Sequence, residues 1–221
     1  MTRLTLGVAA AVAALVPAIA MAETELSFYG GIQESPHANV TGTDPENVVD
    51  TNLDFTAGWE GKSFAMPPYY GGRVMVWGNG NFGWGAEYTH SKVYADDVTL
   101  SANGYDRFEF TDGLNVATIN ASYRWPDKWA DVTPYVGAGV GFAFPHVDVQ
   151  PTGGTHTFGY QITGPALRLY SGAKYAINED WAVFGEYQFT YSVHDVELES
   201  GGGFETNVIT NAINVGVSYT F

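Results

Sequence analysis

The final stretch, NVITNAINVGVSYTF (207–221), constrains this chain more than any other. With the two-residue period of a strand, Ile209, Ile213, Val215, Val217, Tyr219 and Phe221 fall on one face. Ala212, Asn214, Gly216, Ser218 and Thr220 fall on the other, and no charge interrupts the segment. Two folds accept such a strand. A transmembrane barrel turns the apolar row to lipid, sets aromatic residues at the interface and sends small polar residues to the lumen. A soluble lipocalin-like barrel turns the apolar row inward instead.

The amino terminus favours the first. Arg3, the apolar run 7–20 and the small-x-small triplet Ala20-Met21-Ala22 predict a secretory signal over 1–22, followed by one domain over 23–221. No later stretch is long and apolar enough for a membrane helix, and an exported chain without such helices spans a membrane only as a closed barrel. The absence of cysteine excludes disulfides, thiolate metal sites and a cysteine nucleophile. A formal charge of −15 argues against nucleic acid. It suits either a solvated acidic rim or a surface that meets anionic lipopolysaccharide through divalent cations, for which carboxylates are hard ligands.

Further strands follow the same alternation. In 25–34, Leu26, Phe28 and Ile32 oppose Ser27, Tyr29 and Gln33; in 82–90, Phe82, Trp84 and Tyr88 oppose Gly83, Glu87 and Thr89. Strands are also expected at 69–77, 114–125, 134–144, up to 175, and at 181–193. Short turns at 78–81, 126–132 and 176–180 alternate with long loops at 91–112, 145–158 and 196–206, the asymmetry of outer-membrane barrels. The expected fold is all-β: a transmembrane antiparallel up-and-down barrel of eight strands. Residues 35–68 then form one external connection, with the alternating piece 53–59 placed above the barrel or extending the first hairpin. Ten strands is the alternative.

Parity sends Arg73, Glu87, Arg124, Arg168, Lys174 and Glu186 inward. Buried charges need partners, so these read as a salt-bridge plug; an interior carboxylate with a raised pKa is the sharper alternative. Gly137, Gly139 and Gly141 share the inward face and leave room for bulky neighbours such as Tyr29, or open a pocket. His37, His90, His146 and His194 end outward-running strands, and His156 lies in an external loop, near Glu87, Asp96, Asp148 and Asp195. Imidazoles at one rim suit metal binding or general-base work, or ordinary rim polarity. By parity His194 faces in, and His90 and His146 face out unless a bulge turns them.

The segments ELSFYGGIQESPH (25–37), GWEGKSFAMPPYYGGR (58–73), EYTHSKVYADD (87–97), YDRFEFTDGLN (105–115) and TPYVGAGVGFAFPHVDV (133–149) resemble outer-membrane barrels grouped with the lipid A oxidases. The resemblance implies oxygen-dependent oxidation of the proximal glucosamine of lipid A. It makes Glu60, Asp106, His37, Glu87, His90, His146 and Asp148 candidates, with His194 added by its rim position, for proton transfer or for a divalent redox metal. Lys62, Arg73, Lys92 and Arg107 become candidates for substrate phosphate. The expected partners are outer-membrane lipid and lipopolysaccharide, met by a monomer in the outer membrane. The rival expectation is a non-catalytic surface barrel.

Overall fold

The computed structural model describes residues 23–78, 80–126 and 129–221. The expected signal over 1–22 and Asn79 of the expected tight turn lie outside them. No helix among the described residues is long and apolar enough to cross a membrane; crossing falls to strands.

In chain order these are β1 (Glu23–Glu34), β2 (Ala38–Thr43), β3 (Asn52–Ala57), β4 (Trp59–Glu60), β5 (Tyr70–Trp77), β6 (Phe82–Ala95) and, after helix α1 (Asp97–Asn103), β7 (Tyr105–Arg124). Then come β8 (Val132–Ala143), β9 (His146–Pro151), β10 (Thr157–Tyr160), β11 (Gly164–Ala176), β12 (Trp181–Glu197) and β13 (Gly203–Thr220). Antiparallel pairings run β1-β5-β6-β7-β8-β11-β12-β13, and β13 returns to β1 from Glu25↔Thr220 to Glu34↔Asn211. That is a closed ring of eight, so the ten-stranded alternative falls. The remaining strands sit beyond the ring at its loop end: β2 on the far half of β13, β4 on that of β6, and β9 on that of β7.

The facing is decided by exposure. Ile213 and Val215 are each 68% exposed, whereas Asn214 between them is fully buried. Across the ring Phe28, Trp84, Ile119 and Val140 point outward. A soluble barrel would reverse this. The apolar belt is a lipid face.

Strands of this barrel are longer than a membrane requires. A transmembrane strand needs ~9–11 residues, while β7 has 20, β12 has 17 and β13 has 18. Their far halves keep the same parity but exchange polarity. On β13 the inward row passes from Ser218 and Asn214 to Val208 and Phe204, while the outward row passes from Val215 and Ile213 to Asn207 and Glu205. Above the membrane the sheet therefore closes around its own apolar core, which includes Trp59, Val93, Phe108, Phe110, Val147, Val196 and Phe204.

This inversion corrects three expected loops, of which 196–206 shrinks to the turn between Glu197 of β12 and Gly203 of β13. Residues 91–112 are not a loop: β6 continues to Ala95, Asp96 caps α1 by accepting from the Thr99 N–H at 2.7 Å, and β7 starts at Tyr105. Residues 145–158 likewise hold β9 and the start of β10. The register between β6 and β7 slips between Ser91 and Val93, opposite Gly113, whose φ of 115° is open to glycine but strained for other residues. The slip preserves parity, so Phe108 and Phe110 still face inward.

Because a charge on a lipid face costs ~2–4 kcal/mol near the midplane, Val215→Arg should lower the unfolding free energy by that amount. Denaturant titration in lipid vesicles measures it, and Asp195→Arg on the external extension should stay within ~0.5 kcal/mol of the parent.

Candidate functional site

The lumen is filled by side chains, and charge pairs dominate its middle. Arg73 on β5 donates from Nε to Glu87 Oε2 at 2.8 Å and from Nη1 to Glu186 Oε2 at 2.7 Å; Nη2 reaches the second oxygen of both. Arg168 adds a contact of 3.2 Å to Glu87. Tyr29, Asn120 and Gln188 also donate to Glu87, and Tyr135 and Asn214 to Glu186. The guanidinium of Arg73 lies 4.0 Å from the ring centre of Tyr170. Two carboxylates thus meet two guanidiniums. Toward the turn end, Lys174 pairs with Glu25, and Arg124 holds Glu23 in a two-pronged contact.

The inward glycines of β8 make this packing possible, with one correction. A Cβ on Gly137 would lie 2.1 Å from the Tyr170 ring, so the bulky neighbour is Tyr170; Tyr29 instead covers Gly71.

The six proposed catalytic residues do not converge. Glu87 belongs to the plug. His194 is enclosed above it, between Thr163 and Ser192 and 4.9 Å from Phe110. His37 is exposed near Asp96. His90, His146 and Asp148 share the outer face of the wall. His90 stacks on Tyr70 at 5.1 Å and bonds Asn115 at 3.1 Å, while His146 meets Phe158 and Tyr160 edge-on at 4.3 and 4.6 Å. Both face out, as parity requires, yet aromatic neighbours bury them. Among the described residues no group of three or more His, Asp and Glu side chains is arranged to hold a metal ion. The donor set does not fit the expected divalent metal.

The phosphate candidates divide as well. Arg73 is committed to Glu87 and Glu186, and Lys92 is buried against the Ala65 and Met66 carbonyls. Lys62 and Arg107 remain on the outer face. Lys62 lies over Tyr94 at 4.6 Å and 3.4 Å from Glu60, while Arg107, half exposed, bonds Asp148 at 2.9 Å. Asp106 accepts from Thr152 nearby.

Sheet register explains the neighbourhood. Glu60, Tyr94, Glu109, Asp148 and Phe158 stand side by side across β4, β6, β7, β9 and β10. His156 bonds the second Asp148 oxygen at 2.7 Å. Glu109, not among the expected site residues, shares this patch. Burial and the adjacent Asp148 carboxylate push its carboxyl up to about 7, against the opposing pull of Arg107 and Lys62. The alternation Phe108-Glu109-Phe110 was its signal, hidden because the apolar row there points inward.

The fold and the packed interior define a small outer-membrane barrel whose lumen is closed by side chains. The chain belongs to the outer membrane protein beta-barrel domain family, whose model matches residues 6–221. Among solved structures, the outer membrane protein AlkL in lipid bilayers is 15% identical, with a TM-score of 0.53 over 91% of this chain and 90% of that one. Neisserial surface protein A is 16% identical, with a TM-score of 0.49 over 90% and 97%. At such identities the likeness is one of fold. No curated protein matches the sequence.

Removing one member of a buried ion cluster strands its partners at ~3–5 kcal/mol. Arg73→Ala should destabilise the barrel by that much in denaturant titration. Glu109 gives a pH signature. In the folded protein it keeps its proton above its ordinary value near 4.5, so the folded state binds more protons and stability falls as pH rises from about 4.5 to about 7. Glu109→Gln should flatten that fall, measured as unfolding midpoint against pH.

Proposed function

We propose that this barrel works on its outer wall, contacting lipopolysaccharide from the side as a monomer, with no transport role for its lumen. One observation carries the reading. On the outer face of β6 and β7 the lipid belt leads up to the row Tyr70, His90, Asn115 and Phe144; above it Lys92 is covered by the Ala65 and Met66 carbonyls, and beyond that cover the same strands carry the patch of Lys62, Arg107 and His156. Aromatic residues of that row mark the interface. The cations stand farther along the same strands, level with Tyr94 and Glu109 and roughly 13 Å of strand beyond His90. Lys62 is beside Glu60 and Arg107 beside Asp148, and guanidinium can pair with a phosphorylated headgroup through parallel charge-assisted bonds. A plugged eight-stranded interior leaves no path for a solute.

A finer step, oxidation of the proximal glucosamine, draws on the same wall. His90, His146 and Asp148 lie on it, whereas His37, Glu87 and His194 do not. The resemblance to the lipid A oxidases supports that step, and the dispersal of the histidines supports contact without chemistry.

Lipid A incubated with the refolded barrel in air, beside an oxygen-free control, decides between them by mass spectrometry. An oxygen-dependent mass change on the proximal sugar establishes the oxidase. Unchanged lipid A, with lipopolysaccharide retained by the parent and lost from Lys62→Ala/Arg107→Ala, establishes a contact protein. Equal retention by both overturns the lateral reading in favour of a general surface barrel.

A further inference from the structure

Beneath the row of Tyr70, His90, Asn115 and Phe144, the lipid face is not evenly filled. A groove of about 520 Å³ is cut into it over β1 and β5–β8. Register places Phe28, Gly72, Tyr88, Ala117 and Phe142 side by side across these strands. The next row toward the turn end has Ala86 between Val74 and Ile119. The floor is therefore Gly72, Ala86 and Ala117, and the walls are the exposed rings of Phe28 and Phe142. Tyr88 does not fill it, because its hydroxyl donates to Asn115 in the row above at 2.7 Å. Nor does packing demand the glycine: a Cβ at position 72 would meet nothing closer than 3.4 Å. Across the barrel, Leu167, Leu169, Tyr187, Ile213 and Val215 carry exposed full side chains, and the small residues Ala173, Gly185 and Gly30 there lie in the single row of Val215.

We propose that this groove seats one acyl chain of lipopolysaccharide. The inference rests on the lateral reading above and names the part of the lipid that the wall grips. Position selects hydrocarbon, since the groove opens within the lipid belt and the exposed side chains around it, Leu26, Phe28, Val74, Ile119, Val140 and Phe142, are apolar, while Arg73 and Glu87 turn their charges into the lumen. Height selects the outer leaflet, since the groove ends directly under the external interface. The headgroup of such a lipid would meet Lys62 and Arg107, which stand above the same strands beside Glu60 and Asp148. The volume lies within the ~300–1,000 Å³ of small-ligand sites.

The test compares retained lipid by native mass spectrometry of the refolded full barrel, using purified lipopolysaccharide and, separately, a phosphatidylethanolamine. Ala86→Leu/Ala117→Leu fills the floor. Gly185→Leu adds bulk to the lipid face away from the groove, where a new Cβ meets nothing within 4 Å. Loss of contact for about two methylenes predicts a fall of about tenfold in lipopolysaccharide retention by the filled variant. Gly185→Leu should match the parent. If the filled variant retains lipopolysaccharide normally while Arg107→Ala loses it, the groove inference is overturned and the lateral reading stands. If neither variant changes retention, both fall. Equal retention of the phosphatidylethanolamine, lost equally on filling, overturns the assignment to lipopolysaccharide. Heat-modifiable gel migration checks folding, and Ala117→Val replaces the double variant if that one does not fold.

Discussion

Within hydrocarbon, no water can pair a free backbone N–H, and each unpaired group costs several kcal/mol. The ladder between β1 and β13 is therefore the interaction on which everything else depends. It joins the first strand to the last, from Glu25↔Thr220 to Glu34↔Asn211. Without it, two strand edges would face lipid. With it, eight strands enclose a space just wide enough for side chains to fill. The remaining problem is what fills it. Arg73, Arg168, Glu87 and Glu186 are compatible with that interior only because each finds opposite charge, and because Gly71 and Gly137 let Tyr29 and Tyr170 close over the cluster.

The second organising rule is a change of solvent along single strands. β6, β7, β12 and β13 leave the bilayer partway along their length. In lipid the outside must be apolar and the inside can be polar; in water the requirement reverses. Parity never changes, so residue type does. The result is two cores end to end, one ionic and one apolar. His194 and Phe110 meet where the apolar core begins, and the outer aromatic row at Tyr70 and His90 marks a similar boundary on the other face.

Much of this was legible in sequence, and the upper halves of the strands were missed for a physical reason. The terminal strand, the inward charges and the alternation of short and long connections are all membrane signals, and together they point to eight strands with ten as the alternative, which the β1–β13 ladder removes. The upper halves were missed because YDRFEFT (105–111) alternates in the opposite sense, so it did not extend the lipid-facing pattern. The same blindness hid Glu109. Sequence also counts Arg73 and Lys92 among the phosphate candidates, since charge alone does not reveal that Arg73 has two carboxylates waiting across the lumen. What brings Lys62, Arg107, Asp148 and His156 to one patch is register between β4, β6, β7 and β9, and register over so many strands is not written in any one of them.

The external extension is a built object and not a fringe of loops. Its strands are paired, its interior is packed with Trp59, Phe108, Phe110 and Phe204, and α1 is capped at both ends, by Asp96 and by left-handed Gly104. Proteases need an extended, unpaired segment that can be drawn into their cleft, and exposed loop tips usually provide one. Here most of the backbone that rises above the membrane is already hydrogen-bonded to a neighbour. The barrel therefore turns toward the outside a surface that offers a protease its loop tips and little other unpaired backbone.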